Sequence, residues 1–93
     1  MSENMLPPET LAKAQKAVDM EAEIDLHETF WTAGLYPSGA LVEEFDALIK
    51  LTQELIPLVP ENKDPKVLER LITRYKRKIR KYTKYRDEEE AED

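Results

Sequence analysis

Apolar residues recur at spacings of three and four along most of the chain, and proline and glycine cut that pattern into three segments. The first segment starts near Pro8, a residue that suits the first turn of a helix because its missing N–H would be unpaired there. Ala14, Ala17, Met20, Ile24, His27 and Trp31 then define one face, which Leu11, Val18 and Ala22 widen. Gly34 is the expected C-terminal stop, and Pro37-Ser38-Gly39 reads as a turn with Ser38 as the next N-cap. In the second segment Leu41, Phe45, Leu48, Thr52 and Leu55 form a stripe, with Val42, Ile49 and Ile56 beside it. A stripe that wide belongs to a helix covered on two sides. Pro57 and Pro60 end it. Asp64-Pro65 opens the third segment as an N-cap followed by proline, and Leu68, Ile72, Tyr75, Ile79 and Tyr82 form a seam widened early by Leu71.

The expected fold is therefore all-α, a three-helix up-down-up bundle with helices at about 8–33, 39–56 and 65–86. Residues 1–7 are expected to be a flexible N-terminus and residues 87–93 an acidic tail. The first and third helices are longer than the second, so their ends should project past it. The sequence contains no internal repeat and no strand candidate.

Charge changes this picture more than composition does. From Met1 to Asp64 there are 4 basic and 13 acidic residues, a net of −9; from Pro65 to Arg86, 10 basic residues meet one acid, Glu69, a net of +9; Asp87 to Asp93 adds six acids and no base. The overall charge of −6 hides three strongly charged blocks. Arg70, Arg74, Arg77, Lys78, Lys81 and Lys84 form a candidate surface for a phosphate backbone or an acidic protein, with Tyr75, Tyr82 and Tyr85 interleaved and placed to stack or to contact the partner. The competing reading is internal neutralisation. With the helix starts aligned, Asp19, Glu21, Glu23, Asp25 and Glu28 fall level with Lys76 to Tyr85. One neighbouring helix can answer only one side, however, and the basic residues go nearly all the way round.

The tail residues Asp87, Glu88, Glu89, Glu90, Glu92 and Asp93 oppose the dipole of a helix C-terminus, so the third helix should fray near Arg86. Such a tail is either a solvated solubility element or a nucleic-acid mimic that competes for the basic helix or docks on a partner.

Little in the chain points to catalysis. Cysteine is absent, which removes disulfides, thiol chemistry and cysteine-based metal sites. The single histidine, His27, has Glu23 four residues before it but isoleucine at position 24, so the Glu-x-x-His pair of helical di-iron sites is missing, and it reads as a core-edge residue. Two carboxylate clusters, Glu21/Glu23/Asp25/Glu28 and Glu43/Glu44/Asp46, fall mostly opposite the apolar stripes, so a carboxylate-dependent metal enzyme is the weakest of the readings. Ser38 has neither a base nor a glycine-flanked elbow and reads as a cap. No catalytic residue, metal ligand or cofactor is assigned.

Two apolar features could seat a partner. Phe30, Trp31, Leu35 and Tyr36 crowd one turn, either plugging the end of the bundle or forming a hydrophobic patch. Ile79, Tyr82 and Tyr85 extend the late seam, which a homodimer or a partner helix could cover. The N-terminus lacks a basic-then-apolar leader and the longest apolar run, Leu55 to Val59, is too short and proline-broken to span a bilayer, so a cytoplasmic protein with no membrane association is expected. The function expected from these features is that of a non-enzymatic accessory or adaptor protein, which contacts a protein partner or multi-subunit assembly through the basic helix and acidic tail. The alternative is non-specific nucleic-acid binding through residues 66–86, with the tail as autoinhibitor.

Overall fold

A computed structural model describes residues 6–91, and in it the chain is all-α: α1 spans Pro8–Thr32, α2 Ser38–Leu55 and α3 Lys66–Ala91, with a single 3-10 turn at Ile56–Leu58. No strand occurs among the described residues. Most of the expected flexible N-terminus, together with Glu92 and Asp93, lies outside them.

The punctuation works largely as the residue types require. Gly34 takes φ +78°, and the Gly34 and Leu35 N–H groups donate to the Trp31 and Phe30 carbonyls, both at 2.9 Å. This is the Schellman arrangement, which satisfies the last carbonyls of α1 and turns the chain. Proline then forces the end of α2 into its 3-10 turn. Asp64 accepts the Lys66 N–H at 2.9 Å and so caps α3.

Helix α2 is the central element and packs on both α1 and α3. It supplies Leu41, Phe45, Leu48 and Ile49 to the core, joined by Ile24 from α1 and by Ile72, Tyr75 and Tyr82 from α3. The Phe45 ring stacks on Tyr82 with centroids 6.0 Å apart and rings 8° from parallel. Thr52, the polar member of the stripe, is buried because its hydroxyl donates to the Leu48 carbonyl at 2.7 Å within the same helix.

Partners between α1 and α3 ascend together. Tyr75 donates to Glu21 and Tyr82 to Glu28, and 54 residues separate the members of each pair. The seven-residue step on both helices keeps these residues on facing sides. Partners between α1 and α2 run in opposite order, as in Lys13–Glu54 at 3.1 Å and His27–Glu44 at 2.7 Å.

Three expectations fail here. Leu11, Val18 and Ala22 do not widen the buried face of α1; they are exposed, because α3 meets α1 through long side chains and leaves an open groove beside Val18 and Ala22. The late seam of α3 does not project: Tyr82 is 1% exposed and Ile79 packs against the core, since the start of α2 lies alongside. Nor does α3 fray near Arg86. It continues through Ala91.

Candidate docking surface on the third helix

A neighbour exists for only part of α3, and most of the rest of its circumference is basic. Leu68, Ile72, Tyr75, Ile79 and Tyr82 turn inward. Arg70, Arg74, Arg77, Lys81 and Lys84 step by four and three along the opposite side, and Lys66, Lys76 and Arg80 broaden that stripe to about half the helix surface. All eight are exposed, and none is in an ion pair among the described residues.

Of the expected contact residues, Lys78 is the exception. Its Nζ lies 2.8 Å from Glu28 Oε2, which also accepts the Tyr82 hydroxyl, so Lys78 is committed to α1. Arg86 pairs with the adjacent Asp87 at 3.3 Å, and its aliphatic stem lies over Gly39. Among the described residues, internal neutralisation of the basic helix is thus confined to one ion pair across helices. Glu21, the other acid of α1 that meets α3 among the described residues, accepts a tyrosine hydroxyl instead.

Those tyrosines are not available for stacking. Tyr75 is 4% exposed and Tyr82 1%. Burial, reinforced by the hydrogen bonds to Glu21 and Glu28, raises both phenol pKa values well above their ordinary 10.0. Tyr82, expected at the partner surface, is a core residue. Tyr85 is 42% exposed, but its ring meets Trp31 edge-on at 5.0 Å, at the border with α1.

The acidic segment is part of the fold. Ser38 begins α2 as a fully buried residue rather than capping it: its hydroxyl accepts from Trp31 Nε1 and donates to Glu89 Oε1, both at 2.8 Å. Glu89 therefore sits at the positive end of the α2 dipole, which offsets its unfavourable place at the end of α3. Sequence reading missed this because 51 residues separate the pair. Lys81 Nζ adds a cation–π contact 5.4 Å from the Trp31 ring centre.

The aromatic corner divides. Trp31 and Tyr36 pack against the core, and Tyr36 stacks on His27 at 4.4 Å. Phe30 and Leu35 stay exposed, at 41% and 76%, and Val18, Ala22 and Leu26 extend the apolar surface down α1. His27 itself is held between Glu44 and, at 4.0 Å, Glu23. A carboxylate only accepts, so His27 Nδ1 is the donor toward Glu44. Asp46 pairs with Lys50 at 3.0 Å. No three His, Asp or Glu side chains come together as a metal-ion cage among the described residues. No helix among them is long and apolar enough to cross a membrane.

The chain matches no protein-family model, no curated protein and no solved structure. Its surface chemistry carries the functional reading.

Proposed function

We propose that the protein is a non-enzymatic accessory or adaptor protein, an up-down-up bundle that uses the outward side of α3 to dock a polyanionic partner. The observation that carries this reading is the row Arg70, Arg74, Arg77, Lys81 and Lys84: five exposed cations on one side of a rigid helix, with no ion pair among the described residues. Cations that serve only the bundle would be answered by α1; among the described residues Lys78 is ion-paired there and Lys81 lies over the Trp31 ring, while Arg70, Arg74, Arg77 and Lys84 have no such contact. Cations that serve only solubility have no reason to crowd one surface of a chain whose net charge is −6. The net negative charge of the front and of the acidic end disfavours anions elsewhere and so favours docking on that surface.

Within this reading the segment Asp87 to Glu90 is a structural terminus and a boundary, not an autoinhibitor. Its residues continue the helix they would have to cover, and Glu89 is held on Ser38.

Retention on immobilised heparin tests the proposal. The wild-type chain should elute at distinctly higher salt than the Arg70→Gln/Arg77→Gln/Lys84→Gln variant, with unchanged circular dichroism for both. Equal elution of the two would remove α3 as the docking surface.

A further inference from the structure

The basic row could meet an acidic protein or a nucleic acid, and what surrounds the row separates the two. We infer that its partner is the phosphate backbone of a double-stranded nucleic acid, bound without sequence preference; this rests on the proposed function and names the polyanion. Three observations lead there.

First, the row has no apolar centre. The exposed large apolar residues of α3 are Val67, at its first turn, and Tyr85, at the border with α1. Between them the outward surface is arginine, lysine and Thr73, with Glu69 at its edge beside Lys76 and Arg80. Protein interfaces take their affinity from a desolvated apolar core, and exposed ion pairs contribute only about 0–1 kcal/mol each. A surface dominated by cations, with no apolar centre, gains little from an acidic helix. Against a duplex the same cations release condensed counterions, and that release alone produces binding.

Second, the surface lacks the means to hold single strands. Single-strand sites stack bases on exposed aromatic rings. Here Tyr75 and Tyr82 are buried with their hydroxyls on Glu21 and Glu28, and Tyr85 lies edge-on to Trp31.

Third, the dimensions and borders fit backbone contact rather than base reading. Arg70 to Lys84 spans about 21 Å of helix, alongside which a duplex presents roughly a dozen phosphates. Glu21 and Asp25 line the groove on the α1 side of the row. Glu88 occupies the next position of the row itself, exposed and unpaired among the described residues. These acids oppose deep insertion into a groove, where base edges are read. They also set the end of the contact at Lys84.

Fluorescence anisotropy of the full chain tests the inference, with a mixed-sequence 20-base-pair DNA duplex, its scrambled counterpart, one strand alone and polyglutamate, each from 25 to 200 mM salt. The two duplexes should bind equally and more tightly than the strand or polyglutamate. Five phosphate contacts give a log–log salt slope of about −4.5. Arg77→Gln should flatten that slope by about one, and Glu88→Lys, which lengthens the row, should steepen it by about one. Polyglutamate binding as tightly as duplex would overturn the nucleic-acid partner while leaving the polyanion surface intact. Tighter binding to the single strand would overturn the duplex. Failure of every polyanion to bind would end both this inference and the proposed function.

Discussion

Ser38 donates its hydroxyl proton to Glu89 across 51 residues of sequence, and the same oxygen accepts the indole N–H of Trp31. One small buried hydroxyl therefore joins the end of α1, the start of α2 and the end of α3. Glu89→Ala should lower stability by about 0.5–1.5 kcal/mol, the usual net worth of one such hydrogen bond. Glu88→Ala should leave stability within about 0.5 kcal/mol, because Glu88 is exposed and makes no hydrogen bond among the described residues. Urea unfolding followed by Trp31 fluorescence distinguishes the two variants.

The tyrosine–carboxylate pairs predict a loss of stability in alkali. Tyr75 and Tyr82 have phenol pKa values raised in the folded state, chiefly by burial. Below pH 10 both folded and unfolded chains keep these protons, so stability does not depend on them. Above pH 10 the unfolded chain releases protons that the folded chain retains, and stability falls as pH rises. The melting temperature should drop between pH 10 and 11.5, and the Tyr75→Phe/Tyr82→Phe variant should show a shallower drop.

Phe45 stands between Tyr75 and Tyr82 at the centre of the core. Phe45→Ala should cost about 3–5 kcal/mol, enough to unfold much of a small domain. Val18→Ala, on a residue 61% exposed beside the open groove, should cost less than about 0.5 kcal/mol. Thermal melts of the two variants measure how asymmetrically α1 is buried.

The two glycines differ in what they permit. Gly34 has open space around it but a left-handed backbone, so Gly34→Ala should cost about 1 kcal/mol from conformation alone. At Gly39 a Cβ would meet the Arg86 side chain at 3.3 Å, a flexible neighbour that can shift. Gly39→Ala should therefore be the milder of the two in chemical denaturation.

The helices were legible in the sequence because their limits are set locally. Pro8, Gly34, Pro57 and the Asp64-Pro65 pair each act within one turn, and every predicted limit except the last falls within a residue of the observed one. The stripe of α2 was legible for the same reason. What escaped was set by pairing across the fold. The exposure of Leu11 and Val18 depends on how closely α3 approaches, which α1 does not encode. The extension of α3 to Ala91 depends on Ser38, and dipole arguments applied to α3 alone predict fraying instead. One signal was present and unused: Glu21 and Glu28 are seven residues apart, as are Tyr75 and Tyr82. That matched spacing is what lets the two helices exchange hydrogen bonds. The basic surface was legible as a block of charge, but its outward half needed the core residues of α3 to be known first.

The most direct test of the central claim, that anions dock on the outward side of α3, is a titration of the isotope-labelled chain with short polyphosphate followed by amide chemical shifts. The account predicts shifts confined to α3 between Lys66 and Lys84, saturating together and reversed by salt. Shifts gathered instead on α1, on Phe30 to Tyr36, or nowhere would contradict it.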